Sequence, residues 1–148
     1  MSFQSIIKQL SVDYHINTAV GKDLYAFLIN DEFKVYIENS PSKQSFIVYG
    51  SVGYLPNRSE EKIYKSLLEA NYLGVDMDQC TLSIDKKTGN IVLFRWFDEP
   101  HTRYQEFIAV FSQFIGHLAN WRKKILHFPD EEVKSKSSET IREDIIKP

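Results

Sequence analysis

The chain has a single cysteine, Cys80, in 148 residues. That excludes an internal disulfide and a zinc site built on several thiolates. A lone thiol is compatible with a reducing compartment. Gln79 and Thr81 place it in a strand-like run, where cysteine packs as a small apolar residue. Charge of one sign is also scarce in excess: 18 basic residues stand against 20 acidic, a formal net charge of −2. Nothing in that balance would hold a phosphate backbone, which argues against nucleic acid as a partner. Apolar runs are far too short for a membrane span, so no insertion is expected. The opening MSFQSIIKQL lacks the charged and long apolar regions of a signal peptide.

Motifs that carry chemistry are missing as well. There is no GxxxxGK(S/T), GxGxxG or GxSxG segment. His15, His101, His117 and His127 fall at no metal-ligand spacing, and His117 reads as a solvated residue on the polar side of a helix. Asp76 and Asp78 flank a loop with too few ligands for calcium. Asp98, Glu99 and His101 could form an acid/base cluster, but a charged turn before a helix explains them better. The chain is therefore read as no enzyme, with no cofactor and no metal.

What is present is apolar. Hydrophobic residues make up 43% and aromatics 14%, enough for one domain with a real core. Residues 2–14 read as a helix with Phe3, Ile6, Ile7, Leu10 and Tyr14 in one stripe and Ser2 as its cap. After Gly21 come three strands, Leu24–Ile29, Phe33–Ile37 and Ser45–Leu55, joined by short turns at Asn30-Asp31 and Asn39–Lys43. Gly50 and Gly53 predict a bulge or bend. A central helix at 59–74 is followed by a hairpin, Cys80–Ile84 and Ile91–Phe97, turning at Asp85–Asn90. Phe94, Trp96, Phe97 and Tyr54 read as an aromatic-rich end of the sheet, with Arg95 and Arg103 as its rim. Thr102 and Gln105 fit a capping box for a last helix whose apolar residues run from Tyr104 to Ile125. Pro129 ends it, and 129–148 reads as a polar, flexible tail, with a short docking helix at 138–147 as the alternative. The order helix, three strands, helix, two strands, helix predicts an α+β fold, an antiparallel twisted sheet packed by helices, spanning 1–128.

The central helix, SEEKIYKSLLEANYLG, has two apolar faces. Ile63, Leu67 and Ala70 make one; Tyr64, Leu68 and Tyr72 make the other. One sheet needs a narrower stripe, so the second face calls for another partner, and a second copy of the chain would serve.

Within this helix LLEANYLG resembles the central motif of class I type III secretion chaperones, the Tir-chaperone (CesT-type) family. The resemblance rests on Leu67, Leu68, Ala70, Asn71, Tyr72 and Gly74, and it extends along the chain. Gly53-Tyr54-Leu55-Pro56 is similar to the family's Gly-x-Leu-Pro before that helix. Thr81-Leu82-Ser83-Ile84-Asp85 is similar to its Leu-x-Leu-Asp strand end, and Phe111, Phe114, Ala119 and Trp121 to its aromatic last helix. The resemblance implies a homodimer in the cytoplasm of a Gram-negative bacterium. It implies a protein that binds the N-terminal segment of secreted effectors in extended form and delivers them to the secretion apparatus and its ATPase. The dimer interface is expected at Tyr64, Leu68, Tyr72, Leu82 and Trp96, and the effector groove at Ile7, Tyr14, Tyr25, Phe27, Phe33 and Val35. The sequence departs from the acidic balance of many members, since residues 1–128 carry 14 basic against 14 acidic residues. The alternative is a regulatory or adaptor dimer on the same fold, and after it a small α+β enzyme using Asp98, Glu99 and His101.

Overall fold

Ser2 opens the first helix as its sequence predicts: the Ser2 hydroxyl accepts from the Ser5 N–H at 3.2 Å. The computed structural model describes residues 1–14, 18–57 and 59–128. The elements are α1 (Phe3–Asp13), β1 (Thr18–Ala19), β2 (Leu24–Ile29), β3 (Phe33–Ser40), β4 (Ser45–Tyr54), α2 (Glu60–Ala70), β5 (Thr81–Ile84), β6 (Asn90–Asp98) and α3 (Tyr104–Leu126). The expected order holds, with one strand added. β1 is two residues long, too short for alternation to reveal. The tail expected at 129–148 lies outside the described residues.

The strands form one antiparallel sheet in the order β1-β2-β3-β4-β6-β5. Each hairpin has a local cause. Asn30 and Asp31 turn β2 into β3 with φ of 51° and 54°, a left-handed backbone that Asn and Asp tolerate best among side-chain-bearing residues. Gly89 closes the β5–β6 turn at φ 74°, its N–H reaching the Asp85 carbonyl at 2.7 Å. The expected bulge lies between Ser51 and Gly53, where β4 shifts register against β6 and Gly53 adopts φ 134°.

Only one face of the sheet is covered by α1 and α3. Phe33, Val35 and Ile37 of β3, Phe46, Val48 and Val52 of β4, and Ile91, Leu93 and Phe97 of β6 are buried with the apolar stripes of those helices. Phe46 is central to the packing: its ring lies 5.1 Å from Phe97, 5.5 Å from Phe3 and 5.7 Å from Phe107. Gly50 lets α3 approach β4, since a Cβ there would sit 2.9 Å from a Leu118 methyl and 3.3 Å from the Lys34 carbonyl. The opposite face, with Tyr36, Ile47, Tyr49, Val92, Phe94 and Trp96, is not buried.

Two local expectations are corrected. The capping box at Thr102 and Gln105 does not form: Arg103 is the N-cap of α3, and the Thr102 hydroxyl donates to the Asp98 carbonyl at 2.5 Å. Thr102 instead closes the 3-10 turn Glu99–His101. Phe94, Trp96, Phe97 and Tyr54 are not one aromatic end. Tyr54 pairs with Asn90 and Trp96 with Ile47, at opposite ends of the β4–β6 ladder, and Phe97 faces the core.

Candidate partner-binding surfaces

α2 shows two apolar faces but ends at Ala70, short of the expected 74: Tyr72 lies in the 3-10 turn Tyr72–Gly74, where Leu73 at φ 51° breaks the helix. Ile63 and Leu67 are buried in the core. Tyr64, Leu68 and Tyr72 stay in solvent, Leu68 at 71% and Tyr72 at 70% exposure. The bare surface continues beyond the helix, because Leu73 and Val75 are 79% and 71% exposed. Asn71 explains how the helix is held. Its side-chain amide donates to the Leu82 carbonyl at 2.9 Å, and its side-chain oxygen accepts from the Leu82 N–H at 2.8 Å. β5 is an edge strand, and Asn71 occupies hydrogen-bonding groups that a further strand would use. A polar residue between two apolar faces gives no signal of what it meets.

The open face of the sheet forms a second surface. Ile47 and Tyr49 from β4 and Val92, Phe94 and Trp96 from β6 line a shallow hollow of about 400 Å³ with Glu38–Ser40 of β3 at its side. Tyr36 stacks on Tyr49 with ring centres 5.4 Å apart. The Tyr49 hydroxyl donates to Glu38 at 3.4 Å; burial, then that carboxylate, pushes its pKa up to about 12. Lys43 lies over the Trp96 ring, 5.1 Å from its centre. A second hollow, of about 500 Å³, lies between the β4 bulge and the C-terminal turns of α3, with Tyr54, Arg122, Lys123 and Leu126 among its walls.

The expected dimer residues fall into two groups. Tyr64, Leu68, Tyr72 and Trp96 are accessible, and the sheet order puts α2, β5 and β6 at one margin of the molecule. Leu82 is buried at 4% exposure and pairs with Leu93 on the core side. The expectation that it meets a partner is corrected: alternation along β5 named its face but not what covers that face. The groove residues are corrected in the same way. Ile7, Phe27, Phe33 and Val35 are core residues, packed in the cluster that includes α1 and α3. Tyr14 and Tyr25 remain partly exposed at its margin, Tyr14 against Phe111 and Tyr25 against Phe3.

The residues weighed for catalysis have structural partners. The Glu99 carboxylate accepts from the Phe3 N–H at 3.0 Å, at the positive end of α1. His101 bonds to Asp98 on an exposed turn. His117 is not a freely solvated side chain: it is 20% exposed, and its Nε2 lies 2.7 Å from the Asp78 carboxylate. Cys80 is packed in the core, and burial raises its thiol pKa from an ordinary 9 to about 11. Among the described residues no group of three or more His, Cys, Asp or Glu side chains is placed to hold a metal. No helix among them is long and apolar enough to cross a membrane.

Solved structures share this fold. The HopA1–SchA chaperone–effector complex contains a chain with TM-score 0.66 and 12% identity, over 82% of this chain and 93% of that one. The ExsC–ExsE complex gives TM-score 0.67 and 13% identity, over 84% and 97%. The heterodimeric ExoU–SpcU complex from the type III secretion system of Pseudomonas aeruginosa gives 0.64 and 10%, over 82% and 95%. YbjN, a putative transcription regulator from E. coli, gives 0.63 and 8%, over 86% and 93%. At such identities these likenesses establish the fold. A search of curated proteins gives no match. The model of the Tir chaperone protein (CesT) family matches residues 5–122, most of the chain, so this protein belongs to that family.

Proposed function

We propose that this protein is a non-catalytic type III secretion chaperone. It binds the N-terminal segment of one or a few secreted effectors in extended form, in the cytoplasm of a Gram-negative bacterium. It then hands them to the secretion apparatus and its ATPase. The observation that carries this reading is the family match over residues 5–122. Likeness of fold to a chain in a chaperone–effector complex supports it. The physical logic is that apolar surface on a stable scaffold replaces the core that an unfolded effector segment would otherwise seek. A sheet edge can take an added strand at the same time. Tyr14 and Tyr25, at the β1–β2 side of the sheet, are the accessible part of the groove. Tyr64, Leu68, Tyr72 and Trp96 are the homodimer contacts.

Capture of the tagged full-length protein from its own bacterium, followed by mass spectrometry and limited proteolysis, tests the reading. The expected result is one or two secreted proteins held through protease-sensitive N-terminal segments. The likeness to YbjN favours a second reading, a regulatory or adaptor dimer. Recovery of a folded regulator in place of an extended segment would establish that reading and end the first.

A further inference from the structure

Residues 72–80, which join α2 to β5, are wound on themselves. The Val75 N–H bonds to the Tyr72 carbonyl at 3.3 Å, the Gln79 N–H to the Gly74 carbonyl at 3.3 Å and the Cys80 N–H to the Met77 carbonyl at 2.8 Å. These bonds survive a movement of the segment as one piece. Met77 and Cys80 are sunk in the core, and Asp78 between them is held from two sides. Its main-chain carbonyl accepts from Arg95 Nε at 3.2 Å, and its carboxylate lies 2.7 Å from His117 Nε2. Arg95 is itself fixed on β6, with Nη1 donating to the Trp96 carbonyl at 3.0 Å and the guanidinium 4.6 Å from the centre of the Phe97 ring. His117 stands on α3 between the buried Phe114 and Leu118, so it does not move with the segment. Against these ties the segment carries strain. Leu73, Asp78 and Gln79 have φ of 51°, 48° and 65°, left-handed backbone that residues with side chains adopt at a cost. Tyr72, Leu73 and Val75 stand in solvent and supply little burial to hold it down.

We infer that residues 72–80 form a strap that opens as a unit while the sheet stays folded, and that the bond between His117 and Asp78 is the latch that keeps it shut. Segments with strained backbone and little burial open at a free energy below that of global unfolding. Opening relieves the backbone strain and costs the burial of Met77 and Cys80 and the two ties of Asp78. Closed, the strap shows Tyr72, Leu73 and Val75 to solvent. Open, it adds Met77 and Cys80 to them, a larger apolar surface at the same margin of the molecule. The latch therefore sets how much apolar surface this margin offers, and it does so in a single chain, independently of any partner.

Cys80 is the reporter of opening: it is the chain's single cysteine, so iodoacetamide labels one known site. Full-length protein is labelled at one fixed pH and at rising urea below the unfolding transition, with the reagent dilute enough that reclosing outpaces it. The rate then follows the population of the open form. A strap exposes little surface when it opens, so the rate is expected to climb with urea far less steeply than equilibrium unfolding does. In that shallow range His117→Leu is expected to label about tenfold faster, the loss of one hydrogen bond to a charged group. His117→Gln keeps an N–H that donates to the Asp78 carboxylate and is expected within about twofold of the original protein. A urea slope equal to that of global unfolding in the unsubstituted protein overturns the strap. An unchanged rate in His117→Leu, or equal acceleration by both variants, overturns the latch.

Discussion

Cys80 shows how much one side chain's surroundings alter its chemistry. Burial raises its thiol, Asp78 adds to the rise and Arg95 opposes it, for a pKa of about 11. The sign of the pH dependence follows. An unfolded chain ionises this thiol near 9 and the folded chain near 11. Folding therefore favours the protonated form, and that contribution is complete below pH 9 and lost as pH rises through 11. Tyr49, with a pKa of about 12, and Tyr104, raised by burial and by its bond to Asp13, act in the same direction at higher pH. The expected outcome is that urea midpoints fall between pH 9 and 11, and that the fall is shallower in Cys80→Ala. In the native protein at pH 8, alkylation of the thiol should be slow and limited by opening of the fold. That Cys80 is a core residue was legible from its strand-like setting. Its nearness to Arg95 was not, since that residue comes from β6, fifteen positions on.

At the scale of elements, the link that matters most for the surfaces is α2 against β5. Ile63 and Leu67 supply burial, and the two Asn71 bonds to Leu82 set the helix along the strand edge. Asn71→Ala should cost about 1–2 kcal/mol, because an edge N–H and C=O lose their partner and recover only in part with water. Urea denaturation measures the loss, and quicker exchange of the Leu82 amide would place it. Retained stability with an unchanged Leu82 amide would show that apolar packing alone seats the helix. Both faces of α2 were legible from its 100° periodicity, and so were five of the six strands. Which face of each strand lies under a helix was not. Phe27, Phe33 and Val35 alternate as a groove would, yet α1 and α3 cover their side.

For the whole molecule, the question is what becomes of the bare α2 face. Leu68 contributes almost nothing to the core of one chain, being 71% exposed, whereas Leu67 beside it is 4% exposed. In the homodimer proposed above, Leu68→Asp should therefore leave the far-ultraviolet spectrum of the folded chain intact and reduce the dimer to monomer, because a carboxylate would be desolvated without a partner. Leu67→Asp should instead unfold the protein. Sedimentation equilibrium distinguishes the two, and a dimer mass retained by Leu68→Asp would take α2 out of the interface.

The order of the three helices and of strands β2 to β6, the α+β class, the family and the two-faced stretch before β5 were all legible along the chain. These follow from periodicity, turn chemistry and short-range motifs, all of which are local along the chain. Which apolar residues are core and which are surface emerges only once the elements pack together. Leu82 and Leu68 are both apolar residues on amphipathic elements, and one is sealed while the other is bare. Only the fold shows that Asn71 caps a sheet edge, that Glu99 meets the start of α1 and that His117 grips Asp78. The physical reason is that burial and pairing depend on which element arrives opposite a residue. Here that element comes from 11, 96 and 39 positions away along the chain.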